Sequence, residues 1–359
     1  MYSLNQYITE ALKAEDYEAA IVMGWYEIHD QELDNKSGIT SKTVETIKKN
    51  PQALEAGRNI ARYILDNNSD LSGAQAEQYG RASTKLTKFW TSYGASNKTP
   101  KTDILIGNKR FSLKIGMAQL MSGGKAESTA TFYAALKKVN QSITETPEFK
   151  KTTEILDSFV ETSLAPTQLR PLIKSKENPV VNAGENAHKQ CMESMSTLFE
   201  KNRDFKIAFA REAMSGFEKF GERADAAAEF MLVASHDGTR VAIHNVNDDV
   251  YCEKIADKMK LQARFKTSSR KVKKVKTGEY NFWSVISLIV DAMDEELINY
   301  EGEQLNEFAF LGKISKKIKG FFSKVWKKVS SFFKGSGSKM MKFLGIEPSI
   351  THIREMNFD

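Results

Sequence analysis

Apolar residues recur at helical spacing through the first third of the chain. Leu4, Ile8 and Leu12 are followed by Tyr17, Ile21, Val22 and Trp25, which predicts helix over residues 4–30. Val44, Ile47, Leu54, Ile60, Ile64 and Leu65 predict two more helices within 43–66, the second starting at Pro51. Leu71 to Trp90 reads as another helix, and SYGASNKTPK (92–101) as a loop. The period then changes to two. TDILI and KRFSLKI flank Gly107-Asn108, a two-residue loop of the kind that closes hairpins. Residues 126–230 return to a mainly helical pattern, broken near Pro147, Pro166–Pro171 and Pro179. A second hairpin pattern, MLVAS and RVAIHNV, turns at Asp237-Gly238. Residues 251–260 read as helix, 261–276 as a basic strand or loop, and 280–299 as helix.

The near end of the first hairpin places chemistry. With Gly107-Asn108 as the loop, Ile106 faces Lys109 and Asp103 faces Ser112. Side chains alternate faces along a strand, so Ile104, Ile106, Phe111 and Leu113 point to the core. Lys101, Asp103, Arg110, Ser112 and Lys114 share the other face. Asp103 and Ser112 should then have Cβ atoms roughly 5 Å apart, with Lys114 a diagonal neighbour at roughly 7–8 Å. A carboxylate beside a lysine on one sheet face is commonly a plain ion pair. The same arrangement is also what a metal-dependent phosphodiesterase needs: a carboxylate for the cation and a lysine for the attacking water or developing charge.

Charge is unevenly spread. The 359 residues carry a formal charge of +6, yet Phe308 to Ile346 holds ten lysines and no acid, leaving about −4 elsewhere. There Leu311, Ile314, Ile318, Phe321, Phe322, Val325, Trp326, Val329, Phe332 and Phe333 recur every three to four residues between lysines. That pattern reads as a cationic amphipathic helix, suited to an anionic membrane surface or a partner protein. A second basic run, Arg264 to Lys276, holds seven Lys or Arg in thirteen residues. Arg264, Lys266, Arg270, Lys271, Lys273 and Lys274 in it are candidate contacts to nucleic-acid phosphates.

Other chemistries are poorly served. Two cysteines, Cys191 and Cys252, make neither a disulfide framework nor a four-cysteine zinc site. His236-Asp237-Gly238 reads as a turn, and no GxxxxGK[ST] phosphate loop is present. The acidic N-terminal stretch lacks the basic start of a signal peptide, and no apolar run is long enough to span a bilayer.

The segment KTDILIGNKRFSLKIGMAQLMSGGKAES resembles the core of the restriction-endonuclease-like superfamily, the PD-(D/E)xK nucleases. Asp103 matches the first acid of that pattern and Lys114 its lysine, while Ser112 occupies the position of the second acid. The departure removes one metal ligand. The resemblance implies DNA phosphodiester hydrolysis with Mg²⁺, or Mn²⁺, held by Asp103 and a glutamate on the first core helix. Glu18, in DYEAAIVMGWYE, is the best match for that glutamate, with Glu27 and Glu77 as alternatives. Gln119 resembles a glutamine that some members carry on the helix after the lysine strand. Glu127 and Glu212 are further candidates for the missing acid. Glu212, Glu218 and Lys219 otherwise read as surface charges flanking a helix break at Gly216.

REAMSGFEKFG, RFKTSSRKVKK with NFWSVISLIVD, and KFLGIEP together resemble uncharacterised proteins of large contractile-tailed phages. That resemblance implies a phage virion or infected-host cytoplasm as location, with phage structural proteins as partners. The expected architecture is α+β, with a small mixed sheet among many helices and a C-terminal amphipathic helix. Its expected segments are a nuclease-like core (1–135), a helical region (136–230) and a part completing the body (231–300). A linker (301–309), the cationic helix (310–346) and a tail (347–359) follow. Three functions remain: a metal-dependent DNA nuclease, a virion structural or ejected protein with an inactive nuclease fold whose C-terminal helix docks on a partner protein or membrane, or a membrane-active toxin driven by residues 310–346.

Overall fold

Helices begin where the sequence supplies caps. In the computed structural model, which describes residues 13–80, 84–159, 161–164, 179–270 and 279–300, α1 spans Ala14–Ile28 and α2 spans Ser41–Lys48. The Thr40 hydroxyl starts α2 by accepting the Thr43 N–H at 3.2 Å. The helix α3, Pro51–Asn67, starts at its proline with the Asn50 side chain accepting from Ala53 N at 3.1 Å. Helices α1 and α3 lie backbone to backbone. A Cβ on Gly57 would sit 2.3 Å from the Ala20 carbonyl oxygen, and one on Gly24 would sit 2.8 Å from Arg58 N.

The expected helix from Leu71 to Trp90 does not form. Gly73, with φ of 74°, turns the chain, and Ala76–Gln78 becomes the edge strand β1. Among the described residues after Leu71 there, the α-helix is α4, Lys88–Ser92, capped by the Thr87 hydroxyl. The polar run from Ser72 to Lys85 offers a helix no apolar stripe to bury.

The first hairpin forms in the expected register. Strands β2 (Ile104–Ile106) and β3 (Lys109–Ile115) pair Ile106 with Lys109, Leu105 with Arg110 and Ile104 with Phe111. Gly116, with φ of 61°, then redirects the chain into β4, Met117–Gly123, where a helix was expected. The helices α5 (Lys125–Leu136) and α6 (Pro147–Asp157) follow. An unforeseen strand β5 (Glu161–Leu164) precedes α7 (Pro179–Lys201), α8 (Arg203–Ser215) and the single turn α9 (Phe217–Phe220). The second hairpin, β6 (Phe230–Ala234) and β7 (Val241–Asn245), appears as read. Next come α10 (Asp249–Lys258), β8 (Lys260–Arg270), β9 (Glu279–Asp291) and α11 (Glu295–Ile298).

Residues 280–299 are therefore mainly strand, not helix. Phe282, Val285, Ile286 and Ile289 match helical spacing, but the run is rich in β-branched residues. As a central strand β9 buries Ser284 through Leu288 on both faces, and such strands lose alternation.

Two sheets result. The first is mixed, in the order β1-β2-β3-β6-β7, with β3 and β6 parallel and the other pairs antiparallel. In the second, β9 pairs with β8 along one edge and with β4 and β5 along the other. One face of the first sheet packs Ile104, Ile106, Phe111 and Leu232 against Trp25, Ile60 and Ile64 of α1 and α3. The opposite face, through Met231 and Val233, joins a second core containing Phe132, Phe205, Phe209, Ile286 and Leu288. Ser112 pairs with Met231 and Lys114 with Val233, so both belong to the face turned toward the second sheet's core. Residues 4–12, Pro166–Pro171, Lys271, Lys273, Lys274, the linker 301–309 and the cationic segment 310–346 lie outside the described residues. So do its aromatic residues Phe321, Phe322, Trp326, Phe332 and Phe333.

Candidate active site

Asp103 extends the hairpin ladder one residue past β2, its N–H donating to Phe111 O at 2.8 Å. Its side chain gathers the opposite strand. Asp103 Oδ2 accepts the Ser112 hydroxyl at 3.1 Å, the Leu113 N–H at 2.8 Å and the Lys114 ammonium at 3.3 Å. Lys114 Nζ also donates to Ser112 Oγ and to Leu113 O, each at 2.8 Å. The diagonal neighbours of the sequence pattern thus close into a hydrogen-bonded ion pair. Among the described residues no donor reaches Asp103 Oδ1.

Glu18 on α1 enters the same electrostatic neighbourhood. Gln78 of β1 donates to Glu18 Oε2 at 3.0 Å. Burial, then the Asp103 charge, push the Glu18 carboxyl up to about 7, against the opposing pull of Gln78 and Lys114. Glu27 is committed elsewhere. The Arg58 guanidinium holds it at 2.7 and 2.5 Å and keeps its carboxyl below the usual range. Burial and Asp225 raise Glu77, which lies opposite Leu105 on the edge strand.

A cavity of 390 Å³ opens beside the ion pair. Asp103, Ser112 and Lys114 line it from the first sheet, and Gln119, Ser122 and Lys266 from the second. Gln119 lies on strand β4, not on a helix; its amide reaches Met121 O at 3.2 Å and Ser287 Oγ at 3.4 Å. Lys266 and Arg264 are half-buried on β8, and Arg270 ends that strand.

The far wall carries charges that the sequence reading had put on the surface. Glu212 and Lys219 are each only 6% exposed. Glu212 accepts the N–H groups of Glu218 at 2.9 Å and Lys219 at 3.2 Å, capping the turn that follows Gly216. Burial pushes its carboxyl up to about 7. Each of its oxygens thereby accepts one backbone donor of that turn. Glu127 is held by Asn97 N at 2.9 Å, Trp90 Nε1 at 3.0 Å and Lys219 Nζ at 3.3 Å. Lys101 turns into the interior and donates to the carbonyls of Leu120 (2.7 Å) and Ala213 (2.5 Å). Burial, with Lys219 and Lys114 nearby, brings its ammonium down to about 7. Alternation assigns Lys101 to the polar face; no spacing signals its burial, or its bond to Ala213 on α8.

The remaining candidates keep their plain readings. Asp237 Oδ1 accepts from Ser235 Oγ and from the N–H and hydroxyl of Thr239, closing the second hairpin turn. Cys191 and Cys252 are buried free thiols.

The donor set fits a hard, weakly held cation. Asp103 and Glu18 offer two carboxylates, and the Asp103 charge raises the proton affinity of Glu18, a repulsion that a divalent ion relieves. Mg²⁺ is commonly held by one or two carboxylates with water and substrate phosphate completing the shell. Among the described residues no group of three or more His, Cys, Asp or Glu has metal-holding geometry. Nor is any described helix long and apolar enough to cross a membrane.

No protein-family model matches the chain, and no curated protein sequence matches it. Among solved structures it is similar to restriction endonuclease MspI in complex with its cognate DNA. That likeness has 14% identity and a TM-score of 0.31, over 73% of this chain and 97% of that one. At that level the chemistry has to come from the side chains themselves.

Proposed function

We propose that the cavity is the active site of a metal-dependent DNA nuclease, hydrolysing phosphodiester bonds with Mg²⁺ or Mn²⁺ held by Asp103 and Glu18. The supporting observation is the Asp103–Lys114 ion pair on the wall of a lysine-lined cavity, with the Glu18 carboxyl within electrostatic reach of both. When bound, the ion polarises the phosphate and lowers the pKa of a water. Lys114, held by three acceptors, orients that water and meets the charge developing on phosphate oxygens. Glu18 would be the second carboxylate on that ion. Gln78 fixes its orientation. Lys266 and Arg264 on β8 supply positive charge for the DNA backbone.

One observation favours a second reading. Ser112 is neutral at the second acid position, and Lys114 is already satisfied by protein groups. On that basis the fold would be an inactive nuclease scaffold in a virion structural or ejected protein, with residues 310–346 docking on a phage protein or anionic membrane. Full-length protein incubated with linear, single-stranded and plasmid DNA in Mg²⁺, Mn²⁺ or EDTA separates the two. The nuclease reading expects metal-dependent cleavage that is lost in Asp103→Ala and Lys114→Ala. Intact DNA with both metals would leave the scaffold reading.

A further inference from the structure

Three features of the cavity wall point to a ligand. The first is size. At 390 Å³ the cavity falls at the lower end of small-molecule pockets, roughly 300–1,000 Å³. A run of stacked base pairs does not enter such a space, and enzymes that work in one receive a single extruded or terminal nucleotide.

The second is charge. Lys101, Lys114 and Lys219 each have acceptors supplied by the protein: two backbone carbonyls, Asp103 and Glu127 respectively. Lys266 lines the same cavity from the second sheet, and no acceptor reaches it among the described residues. A half-buried ammonium with no counter-charge among the described residues suits an anionic ligand.

The third is an open hydroxyl. Ser122 Oγ is buried on the cavity wall and has no hydrogen-bond partner among the described residues. Buried hydroxyls are rarely left unpaired, because desolvation without a bond is costly. Nearby, the Gln119 amide on the same wall bonds Met121 O at 3.2 Å and Ser287 Oγ at 3.4 Å.

We infer that the cavity binds one nucleotide unit, presented at a strand end or extruded, with Lys266 and the Ser122 hydroxyl donating to its phosphate. The inference rests on the nuclease reading for the identity of the ligand as a nucleotide. It assigns Lys266 and Ser122 as binding residues and restricts the substrate to DNA that can deliver a single nucleotide.

Isothermal titration of the full-length protein with deoxyadenosine 5′-monophosphate tests it, in EDTA and again in Ca²⁺, so that no cleavage is needed. Saturable one-site binding is expected. Lys266→Ala and Lys266→Gln should weaken it roughly tenfold or more, and Ser122→Ala several-fold. Lys260→Ala should leave it unchanged, because Lys260, exposed at the start of β8, does not line the cavity. Thermal melts of the variants confirm that each remains folded. No saturable binding in either buffer overturns the inference, as does equal affinity in wild type and both Lys266 variants. Inorganic phosphate binding as tightly as the nucleotide would also overturn it. The two readings fail separately. Nucleotide binding without DNA cleavage leaves the pocket standing and removes the nuclease; metal-dependent cleavage without nucleotide binding does the reverse.

Discussion

Ser112 donates its hydroxyl to Asp103 at 3.1 Å across the hairpin and takes the Lys114 ammonium at 2.8 Å. It is thus a neutral relay inside an ion pair, 2% exposed, where a carboxylate would add a negative charge facing the same cavity.

Ser112→Asp should therefore strengthen divalent-ion binding. A further carboxylate joins Asp103 and Glu18, and the ion relieves their mutual repulsion. Titration with Mn²⁺ should show about tenfold or greater gain in affinity, corresponding to roughly 1.4 kcal/mol. Unchanged affinity would mean that Asp103 and Glu18 do not face a common ion.

Lys114→Ala should lower DNA cleavage by roughly 10²–10³-fold, the usual effect of removing one positioned donor. The fold should persist, because Asp103 keeps the Ser112 hydroxyl and the Leu113 N–H. Circular dichroism beside single-turnover cleavage distinguishes lost chemistry from lost structure.

Glu18 makes stability depend on pH. Its carboxyl releases a proton near 4.5 in the unfolded chain but near 7 in the folded one. Between those values the folded state binds more protons, so stability falls as pH rises from about 4.5 to about 7. Glu212 has a similar shift and adds to the slope. Lys101, brought down to about 7, acts in the opposite direction above that pH. Glu18→Gln should flatten part of the decline and gain roughly 1–3 kcal/mol over wild type near pH 8. Urea unfolding at several pH values measures it; parallel curves for the two proteins would contradict a Glu18 carboxyl raised by its burial and by the Asp103 charge.

Gly216→Ala should destabilise the cavity wall. Gly216 has φ of 67°, and an added Cβ would lie 2.8 Å from Lys101 Cγ. The left-handed backbone alone costs about 1–2 kcal/mol for an alanine. The displaced Lys101 would further loosen its bonds to Leu120 and Ala213. Equilibrium unfolding should show at least that loss.

Local pattern carried the hairpin. Alternation around Gly107-Asn108 set its register, and with it the Asp103–Ser112 pairing, because a two-residue loop leaves the strands no freedom to slip. Glu18 came from a family resemblance alone, since no spacing connects α1 to a hairpin 85 residues later. Strand β9 was misread because Phe282, Val285, Ile286 and Ile289 satisfy helical spacing. What decided for strand was four-sided burial by β4, β5, β8 and the helical core, a tertiary fact. The wall formed by Lys101, Glu127, Glu212 and Lys219 was illegible for the same reason. Its members come from a loop and three helices, and chain folding alone joins them.

Residues 109–123 form one ribbon that belongs to both sheets: β3 ends in the first, Gly116 turns, and β4 starts the second. Ser112 and Lys114 ride on one half of it, Gln119 and Ser122 on the other. The two halves of the cleft are thus arms of a single caliper whose pivot is one peptide. A side chain at position 116, forced out of its φ of 61°, would reset the jaw width without touching any residue that meets the ligand.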